Sequence, residues 1–371
     1  MKPRRVTHFE YDLVRVLMLG NIWWLAVKLY GNPLVALQTT KTFIMRFSDL
    51  MGGKKLVRGF KVDGKYYWDM FNPGWPSQGF NAFYTAHLLE ERQTTPPRPT
   101  LRRLLVAITK RCPLQCAHCS EAATLYQKDI MTVDQYIAKI DPFVRGGIGQ
   151  IVYSGGEPLS RLDDMLEVIH HYKDRCDQWI YTSAFGLTAN VASQLKKAGL
   201  DGAAISLDHF DEEGHNTFRG NKKSYFWVLE GIKHLLAEGI MVSINVCPSR
   251  ELVESGGVEK IIELAKSLNV PVVNILEPRA VGNFEHKDVE FHPEHMDKMR
   301  SLSERFNFDP ALVDYPTVLF PAAYRASVPC GGGRSYLMLD YDGTLYPCPF
   351  CKVKMPKIAT QEIQEELCLA K

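Results

Sequence analysis

The strongest constraint on the fold is a serial alternation of short apolar runs and helix-period segments between residues 101 and 300. The apolar runs are Arg103–Thr109, Gln150–Ser154, Trp179–Ser183, Ala203–Leu207, Met241–Val246 and Pro271–Leu276. Between them, Thr132–Val144, Asp163–Tyr172, Ala189–Ala198, Phe226–Glu238 and Val258–Leu268 carry apolar residues at helical spacing. Strands separated by helices pair in parallel, because each helix carries the chain back to start the next strand in the same direction. Six such units predict a parallel α/β fold. A closed eight-stranded barrel needs two more, so an open sheet or a partial barrel is expected.

The flanks differ from this core, and three zones are expected: residues 1–100, 101–300 and 301–371. In the first, Tyr11–Tyr30 and Leu34–Met51 read as apolar helices, the second with Pro33 near its start and Gly52-Gly53 at its end. Leu56–Val62 and Lys65–Phe71 flank Asp63-Gly64, a hairpin signal. The aromatic run from Tyr66-Tyr67-Trp68 to Trp75 is expected to cover the barrel mouth, and Trp23, Trp24, Phe43 and Phe47 to form a membrane-surface element or an ordinary helical cap on the barrel. A proline-rich linker, Thr94–Pro99, closes the zone. The third zone is irregular, with Gly331-Gly332-Gly333, a turn at Asp342-Gly343 and four cysteines.

Charge is uneven. Residues 1–110 hold 17 Lys+Arg against 7 Asp+Glu, while the remainder holds 27 against 35. A basic, aromatic-rich module on an acidic body suits an anionic partner, or is a solvated basic face. Asn21 and Lys28 interrupt the apolar stretch Val16–Leu29. No run of about 18 uninterrupted apolar residues exists, so neither a spanning helix nor a signal peptide is expected. The protein is therefore predicted to be cytoplasmic, where its nine cysteines serve as ligands or free thiols in preference to disulfides.

The cysteines are not scattered. Cys112, Cys116 and Cys119 fall within eight residues, directly after the first predicted strand. In α/β barrels the loops at the C-terminal strand ends build the site. A loop with three thiolates can wrap an iron–sulfur cubane and leave one iron without a protein ligand. A zinc site would more often show paired C-x2-C units and a fourth ligand.

This C-x3-C-x2-C spacing resembles the signature of the radical S-adenosylmethionine (radical SAM) superfamily, and the likeness continues along the second zone. Ser154-Gly155-Gly156-Glu157-Pro158 is similar to the family's GGE motif, and Ser206-Leu207-Asp208 with Arg219-Gly220 is similar to a further family segment. The resemblance implies a partial (β/α)6 barrel, a [4Fe-4S] cluster on Cys112, Cys116 and Cys119, and bound SAM. It implies that Gly155, Gly156 and Glu157 meet the methionine amino group, that Ser206 and Asp208 lie near the ribose or methionine moiety, and that Arg219 pairs with the methionine carboxylate. His118 stands where the family places an aromatic residue beside the adenine. Ser183-Ala184-Phe185-Gly186 departs from the family's Asn-Gly pair, and Ser183 takes the asparagine's place.

Cys330, Cys348 and Cys351, spaced around the Asp342-Gly343 turn, resemble the auxiliary-cluster module of SPASM and twitch proteins. Four cysteines, with Cys368 as the candidate fourth ligand, imply one auxiliary iron–sulfur cluster; a structural zinc is the alternative. Cys176 reads as structural, and Cys247 follows the fifth strand as a buried cysteine or a thiol at the barrel mouth. Glu277 and Arg279, after the sixth strand, are candidates for substrate contact.

The resemblance implies reductive cleavage of SAM to a 5′-deoxyadenosyl radical that abstracts a substrate hydrogen atom, fed by a flavodoxin- or ferredoxin-type electron donor. The leading substrate is a ribosomally made peptide, with a natural product or cofactor precursor beside it. A second reading is a lipid or isoprenoid, with Trp23, Trp24, Phe43 and Phe47 in residues 1–50 as a peripheral membrane contact. A third is a non-catalytic iron–sulfur or zinc protein, which the intact Gly155, Gly156, Glu157 and Asp208 oppose. No nucleic-acid partner is expected.

Overall fold

The structure is a computed structural model describing residues 3–91, 100–325, 327–328 and 330–352. The predicted linker Thr94–Pro99 and Cys368 lie outside the described residues.

The chain opens with β1 (Arg4–Val6), α1 (His8–Tyr30), α2 (Pro33–Leu50), β2 (Gly59–Val62), β3 (Lys65–Tyr67) and α3 (Gln78–Glu91). The core follows as β4 (Arg103–Thr109), α4 (Val133–Arg145), β5 (Gln150–Gly155), α5 (Leu162–His171), β6 (Asp177–Thr182), α6 (Ala189–Ala198) and β7 (Gly202–Ser206). It continues with α7 (Glu212–Arg219), α8 (Ser224–Ala237), β8 (Met241–Val246), α9 (Arg250–Glu254), α10 (Gly257–Ser267), β9 (Val272–Ile275) and α11 (Pro293–Phe308). The short strands β10 (Thr317–Leu319), β11 (Tyr336–Leu339) and β12 (Leu345–Tyr346) come last.

All six predicted core strands form, within two residues of their expected bounds. They lie in one open sheet, ordered β10-β9-β8-β7-β6-β5-β4-β11-β12, parallel except for the final β11–β12 hairpin. This is the partial-barrel class expected. Residues beyond 301 supply strands at both ends of the sheet: β10 pairs with β9, and β11 pairs with β4.

Successive side chains of each strand face opposite sides. Ile151, Tyr153, Ile180, Ala203, Val242 and Val273 point into the large core under the helices. Val152, Trp179, Ala204, Met241 and Val272 point inward, where Val62, Tyr67 and Met70 from the N-terminal hairpin and its continuation fill the space. Asp63 and Gly64 turn that hairpin with positive φ at both residues, as a type I′ turn requires.

The aromatic run therefore sits at the opposite end of the barrel from the mouth. Arg103 Nη2 donates to Phe71 O (2.6 Å) and Gln150 Nε2 to Met70 O (3.2 Å). Both acceptors meet the N-terminal ends of β4 and β5. Lys65 pairs with Asp201 (2.5 Å), just before β7. Gly79 of α3 is pressed so close that a Cβ would lie 2.6 Å from Asp177 N and 2.7 Å from Gly149 O. The strand ends at this end carry hydrogen-bonding side chains that the hairpin's carbonyls satisfy, and the hairpin's apolar side chains complete the inner core; this fixes the module here.

Candidate functional site

The C-terminal strand ends open into a cleft lined by Cys112, Cys116, His118, Cys119, Gly155, Gly156, Glu157, Ser183, Ser206 and Arg219. Eleven sequence positions were expected at the cluster and SAM site; the eleventh, Asp208, lies buried behind Arg219.

The cysteine loop follows β4 and is tied down by two distant segments. Gln115 N donates to Arg219 O (3.2 Å) and Ala117 N to Phe218 O (2.9 Å), joining the loop to the end of α7. Asn283 N donates to Cys119 O (3.0 Å) and its Nδ2 to Cys116 O (2.9 Å). Gly282 and Gly220 both have positive φ; a Cβ at Gly282 would lie 2.1 Å from Cys119 O. Gly282 and Asn283 were not singled out from the sequence. Only the fold brings them to the loop.

Gly155 and Gly156 pack against the chain leaving β4. Gly155 has φ +132°, and a Cβ there would lie 2.2 Å from Thr109 O; at Gly156 it would lie 2.3 Å from Arg111 O. Gly156 N and Glu157 N donate to those same two carbonyls at 2.8 Å. Glycine is required here for close approach.

The Glu157 carboxylate, buried, accepts from Leu159 N (3.1 Å), Thr182 Oγ1 (2.6 Å), Ser183 N (2.7 Å) and Ser183 Oγ (2.5 Å). Four donors from the chain occupy it, so it locks the loop after β5 to the end of β6. Burial raises its pKa, and the hydrogen bonds from Ser183, Thr182 and Leu159 only partly oppose this. Ser183 directs both its N–H and its hydroxyl to this carboxylate.

Asp208 and Arg219 form the second buried lock. Arg219 Nε and Nη2 reach Asp208 Oδ2 at 2.6 and 2.5 Å, and Cys247 N donates to Asp208 Oδ1 (3.0 Å). Arg219 Nη1 points at Cys116 Sγ (3.5 Å). Burial pushes the Asp208 carboxyl up, but Arg219, His118 and His215 outweigh it and hold it below its ordinary value. The arginine thus places a fixed positive charge beside the Cys116 sulfur.

His118 is buried against Phe218, with ring centroids 4.8 Å apart. Burial lowers its pKa to about 4, so the ring is neutral. Its Nδ1 is buried without a hydrogen-bond partner, a polar atom left for something in the cleft. Glu277 and Arg279 also line the cleft and pair with each other (2.9 Å). Cys247 lines it too, while Cys176 is buried in the core.

Burial pushes the Cys112 thiol up to about 12 and raises Cys116 and Cys119 as well. Thiols in this state become thiolates only beside a strong cation. Among the described residues, His292, Glu294 and His295 are the group whose ligand atoms all lie within 4.8 Å of one another. The donor chemistry, three thiols of one loop lining the cleft, fits an iron–sulfur cluster.

The other cysteine group gathers at the base of the β11–β12 hairpin. Cys348 and Cys351 form an antiparallel bridge, and Cys351 N lies 3.2 Å from Cys348 Sγ. The Tyr336 hydroxyl hydrogen-bonds both Cys330 and Cys348; burial and then these sulfurs raise its pKa. A Cβ at Gly332 would lie 3.4 Å from Cys348 Cβ and 3.6 Å from Cys330 Sγ. Phe350, between Cys348 and Cys351, reaches the cleft that Cys112, Cys116 and Cys119 line.

A charge quartet with three buried members joins the two cysteine segments. Lys110, immediately after β4, is fully buried and pairs with Glu121 and with Asp340 (2.7 Å). Lys352 completes it, 2.7 Å from Glu121 and 3.4 Å from Asp340. Glu121 follows the cysteine loop; Asp340 stands in the turn between β11 and β12, and Lys352 follows Cys351.

Comparison with known proteins agrees with this geometry. Residues 106–249 match the radical SAM superfamily model. Among solved structures, Streptococcus suis SuiB bound to its precursor peptide SuiA superposes with a TM-score of 0.57 at 12% identity, over 69% of this chain and 62% of that one. The anSMEcpe structure with bound AdoMet and the Cp18Cys peptide superposes with a TM-score of 0.55 at 16% identity, over 71% and 79%. The chain thus spans somewhat less than two thirds of the SuiB length.

Proposed function

We propose, from the match of residues 106–249 to the radical SAM superfamily model, that this protein abstracts a hydrogen atom from a peptide substrate held in the cleft at the C-terminal strand ends. One observation carries the reading: the three cysteines and His118 after β4, the Gly155-Gly156 turn after β5 and Arg219 after β7 converge on one cleft although they come from three separate strand–helix units. Cys112, Cys116 and Cys119 would hold the [4Fe-4S] cluster, and the backbone at Gly155-Gly156, Ser206, His118 and Arg219 would border SAM. Cluster and SAM together supply an electron and a carbon-centred oxidant able to take hydrogen from an unactivated C–H bond.

The chain's own residues prepare that chemistry in three ways. The Glu157 lock fixes the Gly155-Gly156 backbone. The Asp208–Arg219 pair directs a permanent cation at Cys116. The hairpin core of Val62, Tyr67 and Met70 fills the barrel from the opposite end, which keeps water from entering behind the reacting groups.

The peptide reading is supported by the open cleft, by the polar pair Glu277–Arg279 on its wall, and by the two peptide-bound structures that share the fold. Cys330, Cys348 and Cys351, with Cys368 outside the described residues, would hold the auxiliary cluster on the Phe350 side. The lipid reading is weaker, because the exposed aromatic helices lie at the far end of the barrel. Oxygen-free reconstitution with iron and sulfide, followed by SAM and dithionite, tests the proposal. Formation of 5′-deoxyadenosine, accelerated by a peptide substrate, is expected. A reconstituted protein that forms none would overturn it.

A further inference from the structure

Helix α1 carries an apolar face that is left exposed among the described residues. Phe9, Val16 and Leu34 are 79%, 66% and 78% exposed, and Trp24 is 51% exposed. Phe9, Leu13, Val16, Leu17 and Trp24 recur at helical spacing along one side of α1, with Leu34 and Leu37 continuing the patch onto α2. Only 17% of the most apolar window of α1 is buried, although the helix is long and apolar enough by length and composition to cross a membrane. Apolar patches of this extent on a protein mark an interaction surface.

The other side of α1 is fixed. Ile22 and Ala26 are buried with Ala36 of α2 and with Phe80 and Leu88 of α3. Asn21 accepts from Trp75 Nε1 (2.9 Å) and donates to Asn81 (3.2 Å). Crossing a bilayer would break this core and leave Asn21 in hydrocarbon, so α1 suits lying along a surface.

Charge selects the surface. Residues 1–62 contain 11 Lys+Arg and 3 Asp+Glu. Glu10 is paired with Arg4, and Asp12 with Lys55. Lys28 extends over the Trp24 ring, 5.6 Å from its centroid, and Lys41 is exposed on α2, while the exposed Arg46 pairs with Glu91 (2.7 Å). Tryptophan and long cationic side chains over an apolar face match the headgroup boundary of a bilayer. Two copies of this chain would bring like charge together.

We propose that the exposed face of α1 and α2 seats this protein on an anionic lipid surface with the cleft directed away from it. The orientation follows from α3, which packs α1 against the N-terminal strand ends at Gly149 and Asp177. The cleft lies at the other ends of strands that are six residues long in β5 and β6, about 20 Å away at roughly 3.3 Å per residue. Docking therefore localises the protein without feeding lipid to the cleft. The inference stands on the packing and charge of residues 3–91 and does not depend on the reaction proposed above.

The test is flotation of the full-length protein with vesicles of phosphatidylcholine alone and of phosphatidylcholine with phosphatidylglycerol, at low and high salt. Binding to the anionic vesicles, weakened by salt, is expected. Leu13→Ser with Val16→Ser and Leu17→Ser should lower partitioning by at least about tenfold, since each removes inserted hydrocarbon. Brominated acyl chains should quench tryptophan emission, and Trp23→Phe with Trp24→Phe should abolish that quenching. Hydrogen exchange should show vesicle protection within residues 8–50 and none at 112–119 or 154–157. Absence of wild-type binding, or an unchanged triple variant, would overturn the proposal. So would protection at the cleft. A lipid-free dimer that the triple variant converts to monomer would assign the face to a second copy instead.

Discussion

Replacing Lys110 by methionine should destabilise the protein far more than a surface charge change. The quartet of Lys110, Lys352, Glu121 and Asp340 sums to zero charge, and Lys110 is its fully buried member. Lys110→Met leaves two carboxylates with only Lys352, whose side chain is 34% exposed. Removing one partner of a buried pair costs about 3–5 kcal/mol, because it strands the opposite charge. Unfolding entropy of about 2.1 cal/mol/K per residue over 371 residues is about 0.8 kcal/mol/K, so Tm should fall by about 4–6 °C. The pH dependence follows from the two shifts. Burial opposes both, yet Glu121 and Asp340 raise Lys110, while Lys110 and Lys352 lower Asp340. A depressed acid stabilises above its unfolded pKa and loses that contribution as pH falls through its folded value. A raised lysine stabilises below its unfolded pKa and loses it as pH rises through its folded value. The contribution should therefore be flat between about pH 4 and pH 10. Differential scanning fluorimetry at neutral pH measures the shift. Adding Asp340→Asn and Glu121→Gln to Lys110→Met should recover more than half of the loss, since the stranded charges are gone. A single variant within about 1 °C of wild type, or a triple variant no better than the single, would refute the reasoning.

Gly155→Ala should lower Tm and abolish 5′-deoxyadenosine formation together, because φ +132° and a contact 2.2 Å from Thr109 O admit no Cβ. Alanine at Cys112, Cys116 or Cys119 should remove one share of bound iron and leave another, while alanine at Cys330 or Cys348 should remove the other share; iron and sulfide assays on the reconstituted variants read this. Burial, then Asp201, raises the Asp177 carboxyl, so the folded state holds a proton that the unfolded chain releases near pH 4. Stability should fall as pH rises from there toward neutrality, and Asp177→Asn should flatten that fall in a series of thermal melts.

The core strands were legible because a parallel strand is buried on both faces and reads as a continuous apolar run, as in Met241–Val246. Helices α4 and α6 were legible from amphipathic spacing and from their Thr132 and Thr188 caps. Helix α3 was not: Phe80, Phe83 and Leu88 are buried beside Asn81 and Tyr84, which also hold contacts, so no apolar stripe repeats. Strands β1 and β10 have three residues each, too few to show a period. At the site, the cysteine trio and Gly155-Gly156 were readable because their chemistry is local. Which groups Glu157, Ser183, Asp208 and Arg219 hold was not, since their partners lie 25, 26 and 11 residues away. The aromatic run was misplaced at the mouth for a related reason. Its end of the barrel is set by Arg103, Gln150 and Lys65 acting on strand ends that local sequence does not mark.

A partial barrel of six strands has three places where solvent can enter: each open end and the lateral gap. Here the N-terminal end is filled by Val62, Tyr67 and Met70. One side of the gap is extended by β10 beside β9 and the other by the β11–β12 hairpin beside β4. The hairpin is fixed to the cysteine loop through the Lys110 quartet. Three segments distant in sequence thus leave the C-terminal mouth as the route to the thiols. A site that handles an unselective oxidant needs this arrangement, since each further opening would admit water or a competing hydrogen donor. Helices α1 and α2 lie at the end already sealed, so the lipid docking proposed for them and the entry of substrate would use opposite poles of the barrel.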